Sequence, residues 1–561
     1  MHPSKFTEFA FLLMLSALSL LPTTLQAQST DRQIGTSLTV TADPAVSRPH
    51  TKPCVVTLFT NYQFAFFADT TQNFQFAPSA DCSGPWEKVV LDVNFSENAG
   101  RQFDRTAELY LGDTNLYFGT TPEPIRTAAN NWHIERDITD YSALLTKAQQ
   151  GFMVLQNCTT DCGAPFNTEL NGVFTVNAEI EFFPAARHDR APRVADAVLP
   201  LVQSTSSGAN FPAFLFSPTD QFATTFTLPQ NIEQAYLDVI SQSQSADEQW
   251  FACFPNDLSS INLVYGCGNT DFRETEVTID GQLAGIAPIS PWVYTGFLPD
   301  QWRPIPAAQT LDFVPYRVNL TPFAGLLNDG NPHTISLSVF DDDSYFSAAA
   351  SLLLYLDHGS DHVTGALTQN TLAAPSPVVS EHLNGTSEVT GTIGVRSSRD
   401  YSVAGFVNTS HGRVSTSVFN RQSFSSTQKI DFDVVNQSVL DQKTSMENSL
   451  DSTTTVRSRF GTKITQQDFR FPITVDLILP VSNSTFGLTV ATTQNYQASK
   501  LVWENGFLLD YTAVTNSVQG SDAGTPSSSQ RYTSFTLGER PYDCEVSSSN
   551  NVLTSVSRGC R

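Results

Sequence analysis

Apolar and polar residues alternate along most of this chain. Lys88 to Phe95 reads KVVLDVNF, Ala107 to Leu111 reads AELYL, and Gly172 to Phe183 reads GVFTVNAEIEFF. Each run puts one set of side chains on one face and is bounded by Gly, Pro, Asn or Asp, the pattern of half-buried strands. Convincing helical periodicity is absent beyond the first 27 residues, although Asp137 to Gln150 has room for a short helical turn or two. Many short strands with regular turns predict an all-β protein made of β-sandwiches.

The character of the chain changes along its length. Lys5 precedes an apolar run from Phe9 to Leu21, and Ala27 offers a small residue at a cleavage point, so residues 1–27 read as a secretory signal peptide. A polar leader occupies 28–52. A strand-rich block spans 53–185, a linker containing Ala186 to Pro192 spans 186–195, and a second strand-rich block spans 196–360. Residues 361–561 are rich in Ser, Thr, Asn and Gln yet keep strand alternation, predicting a further β-rich C-terminal domain. No late apolar run approaches the ~20 residues that span a bilayer, so no stable membrane insertion is expected after signal cleavage. The expected location is secreted or periplasmic.

Export suits the eight cysteines: Cys54, Cys82, Cys158, Cys162, Cys253, Cys267, Cys544 and Cys560. None forms a CxxC pair, and an even count in an oxidising compartment reads as four disulfides. Neighbour pairing is the simplest of about 105 connectivities.

Charge narrows the partners. Lys and Arg number 31 against 55 Asp and Glu, for a net charge of -24, so nucleic acid is excluded as a partner by repulsion of its phosphates. With a pI near 4.6 the chain sheds self-repulsion in acid, which predicts activity and stability in acidic medium. The familiar GxSxG, HExxH and GxxxxGK[ST] signatures are all missing from the sequence. Asp357-His358 with Asp361-His362, and the run Asp341 to Asp343, have metal-ligand chemistry, but exposed polar turns are the plainer reading of both.

Three stretches carry chemistry. In Gly100 to Arg105 (GRQFDR), two-residue periodicity puts Arg105 on the face of Ala107, Leu109 and Leu111, and Asp104 on the other. Asp247 to Phe251 reads DEQWF. Phe272 to Glu276 reads FRETE, with Glu274 and Glu276 on one face and Arg273 on the apolar one. Acids and arginines in strands are commonly structural ion pairs, and Trp250, Trp292 and Trp302 are more often core residues than a sugar-stacking platform.

These stretches, with TPEP (121–124), RDIT (136–139), TGFLPDQWRPI (295–305), FVPY (313–316) and LTPF (320–323), resemble the peptide-N-glycosidase A family. The resemblance implies hydrolysis of the amide between the innermost N-acetylglucosamine and asparagine, releasing the glycan and leaving aspartate. It implies paired jelly-roll sandwiches with the active site at their interface, with no metal or organic cofactor. Phe103-Asp104-Arg105 is similar to the aromatic-Asp-Arg tripeptide of the distantly related peptide-N-glycosidase F, which marks Asp104 as catalytic. That relative carries a functional Glu three residues before its Phe-Arg pair, where this chain has Asn269, so Glu248 and Glu274 are the expected further catalytic residues. Arg105, Trp250, Arg273, Trp302 and Arg303 are expected to bind substrate, an N-glycosylated peptide or glycoprotein. A monomer is expected. The competing readings are a secreted carbohydrate-binding sandwich without chemistry, and a glycoside hydrolase cutting between sugars.

Overall fold

The computed structural model describes residues 32–560 apart from 79, 124–126, 165–168, 186–190, 206–207, 259–266, 293–303, 436–438, 483–484, 487–488 and 522–523. The alternating runs become antiparallel strands, and their apolar faces pair into sandwiches. In the first, one sheet runs Cys54–Phe64, Phe174–Pro184, Trp86–Glu97, Asn130–Asp137. The other runs Thr71–Phe76, Gln149–Leu155, Thr106–Leu111, Thr114–Thr120. Val89, Leu91 and Val93 of one sheet share a core with Ala107, Leu109 and Leu111 of the other, all fully buried. The stretch 137–150 supplies one short 3-10 helix, Thr139–Thr146.

The second sandwich opposes a five-stranded sheet containing Ile232–Gln244 and Tyr345–Leu356 to a four-stranded sheet containing Glu274–Ile279 and Pro332–Phe340. Tyr345–Leu356 (YFSAAASLLLYL) is apolar without alternation because both its faces are covered. Leu352 and Leu354 enter the core of the second sandwich, while Leu353 and Tyr355 enter that of the first. The two sandwiches therefore share a wall, which fixes the position of one against the other.

A twelve-stranded antiparallel sheet follows, from Thr364–Asn370 to Val552–Val556. In Gly412–Asp433 every second residue is buried from Val414 to Phe432, so a Ser- and Gln-rich strand still has one covered face, on which Thr416, Asn420, Gln422, Ser426 and Gln428 stand among apolar residues. That face packs Val395, Val403, Phe424 and Met446 against the second sandwich. The leader ties the far parts together: Gly35 N–H donates to Leu553 O at 2.8 Å, Leu553 N–H donates to Thr36 O at 2.8 Å, and Ala42 N–H donates to Gln530 Oε1 at 2.7 Å. Arg48 then ion-pairs with Glu135 and Glu181 on the first sandwich.

Disulfides join Cys54 to Cys82, Cys158 to Cys162, Cys253 to Cys267 and Cys544 to Cys560. Among the described residues, no helix is long and apolar enough to cross a membrane. The Asp357 turn is internally bonded: its carboxylate accepts from Ser410 and from Gly359 N–H, and His358 pairs with Asp196.

Candidate active site

Asp104 lies just before the strand Thr106–Leu111, in a segment held from both sides. Gln102, buried beneath it, donates to Cys158 O at 2.9 Å and Gly172 O at 3.2 Å, and its Oε1 accepts from Phe103 N–H and from Arg105. Arg105 N–H donates to Thr121 Oγ1 at 2.9 Å, and Thr121 N–H returns a bond to Arg105 O at 2.8 Å. The Cys158–Cys162 disulfide closes this corner, with Sγ of Cys158 at 3.5 Å from Arg105. Thus the tripeptide 103–105 is anchored through its neighbours rather than through the Asp104 carboxylate.

A hairpin brings in the second acid. Gly112 and Asp113 both have positive φ (52° and 66°), which suits a two-residue loop, and Leu111 pairs with Thr114 while Thr106 pairs with Thr120. Residues just before 106 therefore face those just after 120, and Glu123 comes beside Asp104. Glu248 arrives from the second sandwich, on the short helix Ser245–Ala252 that continues the strand Ile232–Gln244. Gln244 reaches across to Thr106 Oγ1 at 3.4 Å, and Asp247 locks the helix. The buried Asp247 carboxylate accepts from Arg273 at 2.8 Å and from the backbone N–H groups of Asp343 and Ser344 at 2.8 and 2.6 Å.

Burial and mutual repulsion raise this cluster. Asp104 is pushed up to about 7, first by burial and then by Glu248, with Arg105 partly opposing. Glu123 is pushed up to about 8 by burial, Asp104 and Glu248, against Arg101 and Arg105. Behind them Glu97 is 1% exposed, neither carboxyl oxygen has a hydrogen-bond partner among the described residues, and burial followed by Glu123 pushes it up to about 9. Carboxyls from both sandwiches thus meet at one interface, and Asp104, Glu123 and Glu97 of the first keep protons into the neutral range. Such a group can orient water with one carboxyl and donate a proton from another. A cavity of about 680 Å³ lies elsewhere, between Gly84–Trp86, Ser142–Thr146 and Ala191–Asp196, and no member of the cluster lines it.

The other expected residues fall differently. Glu274 is buried and pairs with Arg399 of the long sheet; burial pushes it up to about 7 against that guanidinium, and its charged neighbours are Arg399 and Glu276, not Asp104 or Glu248. It stands outside the acid cluster. Arg273 is fully buried, with its guanidinium spent on Asp247 and the carbonyls of Gly268, Asn269, Thr270 and Phe272. In this arrangement Arg273 supports the helix that carries Glu248, and its guanidinium points into the core. Trp250, at 0% exposure, is placed in the core against Phe251. Trp302 and Arg303 lie outside the described residues. Arg105 does stand beside Asp104, half-buried.

Two features were not anticipated. Glu123 was visible only as a letter of TPEP; its signal was the Gly112-Asp113 turn, which fixes the hairpin register. Tyr345, half-buried and close enough to Glu248 for that charge to raise its hydroxyl, packs with Phe214 and Phe216 at ring distances of 5.9 and 5.7 Å. Phe216 is 58% exposed, so this aromatic group, rather than Trp250, offers rings to solvent near the acids.

Comparison with known proteins follows these contours. The chain is 29% identical over 384 residues to the peptide-N4-(N-acetyl-beta-glucosaminyl)asparagine amidase A of Prunus dulcis, covering 66% of this chain and 65% of that one, just under two thirds of the relative's length. Among solved structures, a peptide-N(4)-(N-acetyl-beta-D-glucosaminyl) asparagine amidase superposes with a TM-score of 0.36 at 13% identity, over 54% of this chain and 96% of the other. PNGF-II gives 0.37 at 14%, over 55% and 65%. Residues 44–372, more than half of the chain and including all three acids of the cluster, match the family model for peptide N-acetyl-beta-D-glucosaminyl asparaginase amidase A, and the chain belongs to that family.

Proposed function

We propose that this chain is a secreted, acid-active amidase that cleaves the bond between asparagine and the innermost N-acetylglucosamine of N-glycopeptides. The observation that carries the reading is the meeting of Asp104, Glu123 and Glu248 across the two sandwiches. Amides resist neutral water, and their nitrogen leaves poorly without a proton. The cluster supplies both needs. A carboxylate, assigned to Asp104, orients a water and takes its proton as the oxygen bonds to the side-chain carbonyl carbon. Glu248 stabilises the carbonyl oxygen or protonates the departing nitrogen, and Glu123 holds a further proton in reserve. The C–N bond then breaks, giving an aspartyl peptide and a glycosylamine, which loses ammonia in water. Arg105 balances the charge on Asp104, and Tyr345 with Phe214 and Phe216 packs against the sugar.

The acid preference is supported by Glu123, pushed up to about 8 and so protonated through neutral pH, while Asp104 acts as base in its ionised form. The test is digestion of a defined N-glycopeptide in water enriched in oxygen-18. An aspartate carrying the heavy oxygen supports the amidase. A peptide retaining one N-acetylglucosamine would make the chain a glycoside hydrolase, and binding without release would make it a carbohydrate-binding protein.

A further inference from the structure

The four hairpin turns at one end of the twelve-stranded sheet form an exposed row. They connect Glu388–Thr409 to Gly412–Asp433, Val439–Ser458 to Gly461–Ser482, Thr489–Glu504 to Phe507–Ser521, and Ser527–Thr536 to Tyr542–Ser549. Adjacent turns are two strands apart, about 10 Å at the ordinary strand spacing. Three of them present one large apolar side chain in or directly beside the turn: Phe460 is 65% exposed, Phe507 72% and Leu537 62%. The turns are mutually braced. Asn505 accepts from Thr462 N–H at 2.9 Å and donates to Phe460 O at 3.4 Å, and Leu537 N–H donates to Leu509 O at 2.8 Å. Single exposed apolar residues are ordinary on a protein surface; a braced row of them at neighbouring turns is not.

Among the exposed charged residues of these turns, cations outnumber acids. Arg413, Arg457, Arg459, Lys463 and Arg540 are exposed on or beside the turns. The acids there are Glu504, which faces Lys463 across the strands, Asp510, Glu539, and Asp543, which Arg531 holds in a two-pronged ion pair; beside the first turn the buried Asp357 and Glu233 bond Ser410 and His411. At the opposite end of the sheet, Asp441 is raised by burial and then by Asp476 and Asp431, with Lys443 partly opposing. So cations and protruding apolar residues are gathered at one end, in a chain where acids outnumber bases 55 to 31.

We infer that this row of hairpin tips is a peripheral docking surface for an anionic lipid bilayer. Phe460, Phe507 and Leu537 dip into the boundary between headgroups and acyl chains, and the flanking arginines and Lys463 meet the lipid charges. Protruding turns suit a penetrable surface, and the basic rim supplies the complementarity. The placement also suits the site. His411, in the first of these turns, bonds Glu233 near the start of Ile232–Gln244, whereas Glu248 follows that strand's other end. A strand of 13 residues spans about 40 Å, so the acid cluster lies about that far along the strand from the first turn.

The test is sedimentation of the full chain with vesicles of phosphatidylcholine containing phosphatidylserine, and with phosphatidylcholine alone. The expected result is partition to the mixed vesicles that weakens as salt rises. In Phe460→Ser/Phe507→Ser/Leu537→Ser it falls by about a hundredfold or more, while circular dichroism and thermal midpoint stay as in the parent. Arg457→Gln/Arg459→Gln should lose the preference for phosphatidylserine. Failure of the parent to sediment with either vesicle, or equal partition of parent and triple variant, overturns the proposal. So does concentration-dependent self-association that the triple variant abolishes, which would make the row an interface between two copies of this chain.

Discussion

Glu97→Gln should stabilise the protein at neutral pH and leave it nearly unchanged in acid. The wild-type carboxyl is 1% exposed, both its oxygens lack partners among the described residues, and it is pushed up to about 9 from 4.5. A raised folded-state value means that folding binds a proton: the favourable contribution is complete below 4.5 and is lost as pH rises toward 9. At pH 7 the unfolded carboxyl is ionised and the folded one is not. The separation of roughly 2.5 pH units, at about 1.4 kcal/mol each, is a penalty of about 3 kcal/mol. At pH 5 it is under about 1 kcal/mol. Glutamine has no proton to bind, so its advantage is the pH-dependent part alone, reduced by about 1–3 kcal/mol if its amide finds no acceptor. The assay is denaturant unfolding of both proteins from pH 4 to pH 8, reading the difference in stability rather than either value. A difference that stays flat across this range, or that grows toward acid, would refute the argument that Glu97 is buried as a neutral acid.

The remaining expectations concern the cluster and its supports. Asp104→Asn should lower turnover of an N-glycopeptide by about a thousandfold or more while circular dichroism stays native; near-normal activity would remove Asp104 from the chemistry. The rate should decline from pH 7 to 8 as Glu123, raised to about 8, gives up its proton, and an optimum at or above pH 8 would contradict this. Asp247→Ala should cost about 3–5 kcal/mol in unfolding experiments, because it strands the buried Arg273 and frees two backbone N–H groups. Glu274→Gln should lower the thermal midpoint through Arg399 yet leave turnover within about threefold of the parent; a loss comparable to that of Asp104→Asn would return Glu274 to the active site.

The strands were legible because a half-buried sheet writes a two-residue period, as in AELYL and GRVSTSVFNRQSFSSTQKIDFD. Tyr345–Leu356 obeys a different rule: a wall shared by two cores is apolar on both sides. Side-chain fate was harder to read. Periodicity put Arg273 on the apolar face, but not the partner that would consume it; Asp247 is 26 positions earlier and reaches it only through tertiary packing. Trp250 followed the same logic, since burial of a helix that caps a strand depends on what lies over it. Glu274 and Asp104 looked alike in sequence, each an acid beside an arginine at the entry to a strand. One meets a cation from a sheet more than a hundred residues later, the other meets an acid, and no local pattern separates them.

The bonds between residues 35–42 and residues 530–553 have a consequence for how the molecule is made. Synthesis releases the leader first, yet its partners leave the ribosome some 500 residues later, so during that interval the segment has nowhere native to rest. Contacts of such extreme contact order form late and slowly. The closure of residues 35–42 upon residues 530–553 therefore waits until the latter have been synthesised. A chain truncated before Gln530 should retain the earlier sheets in principle but expose Val40 and Ala42, whose apolar cover includes Val546 and Leu553. Protease sensitivity near residue 40 is thus a readout of whether the far end of the protein has arrived.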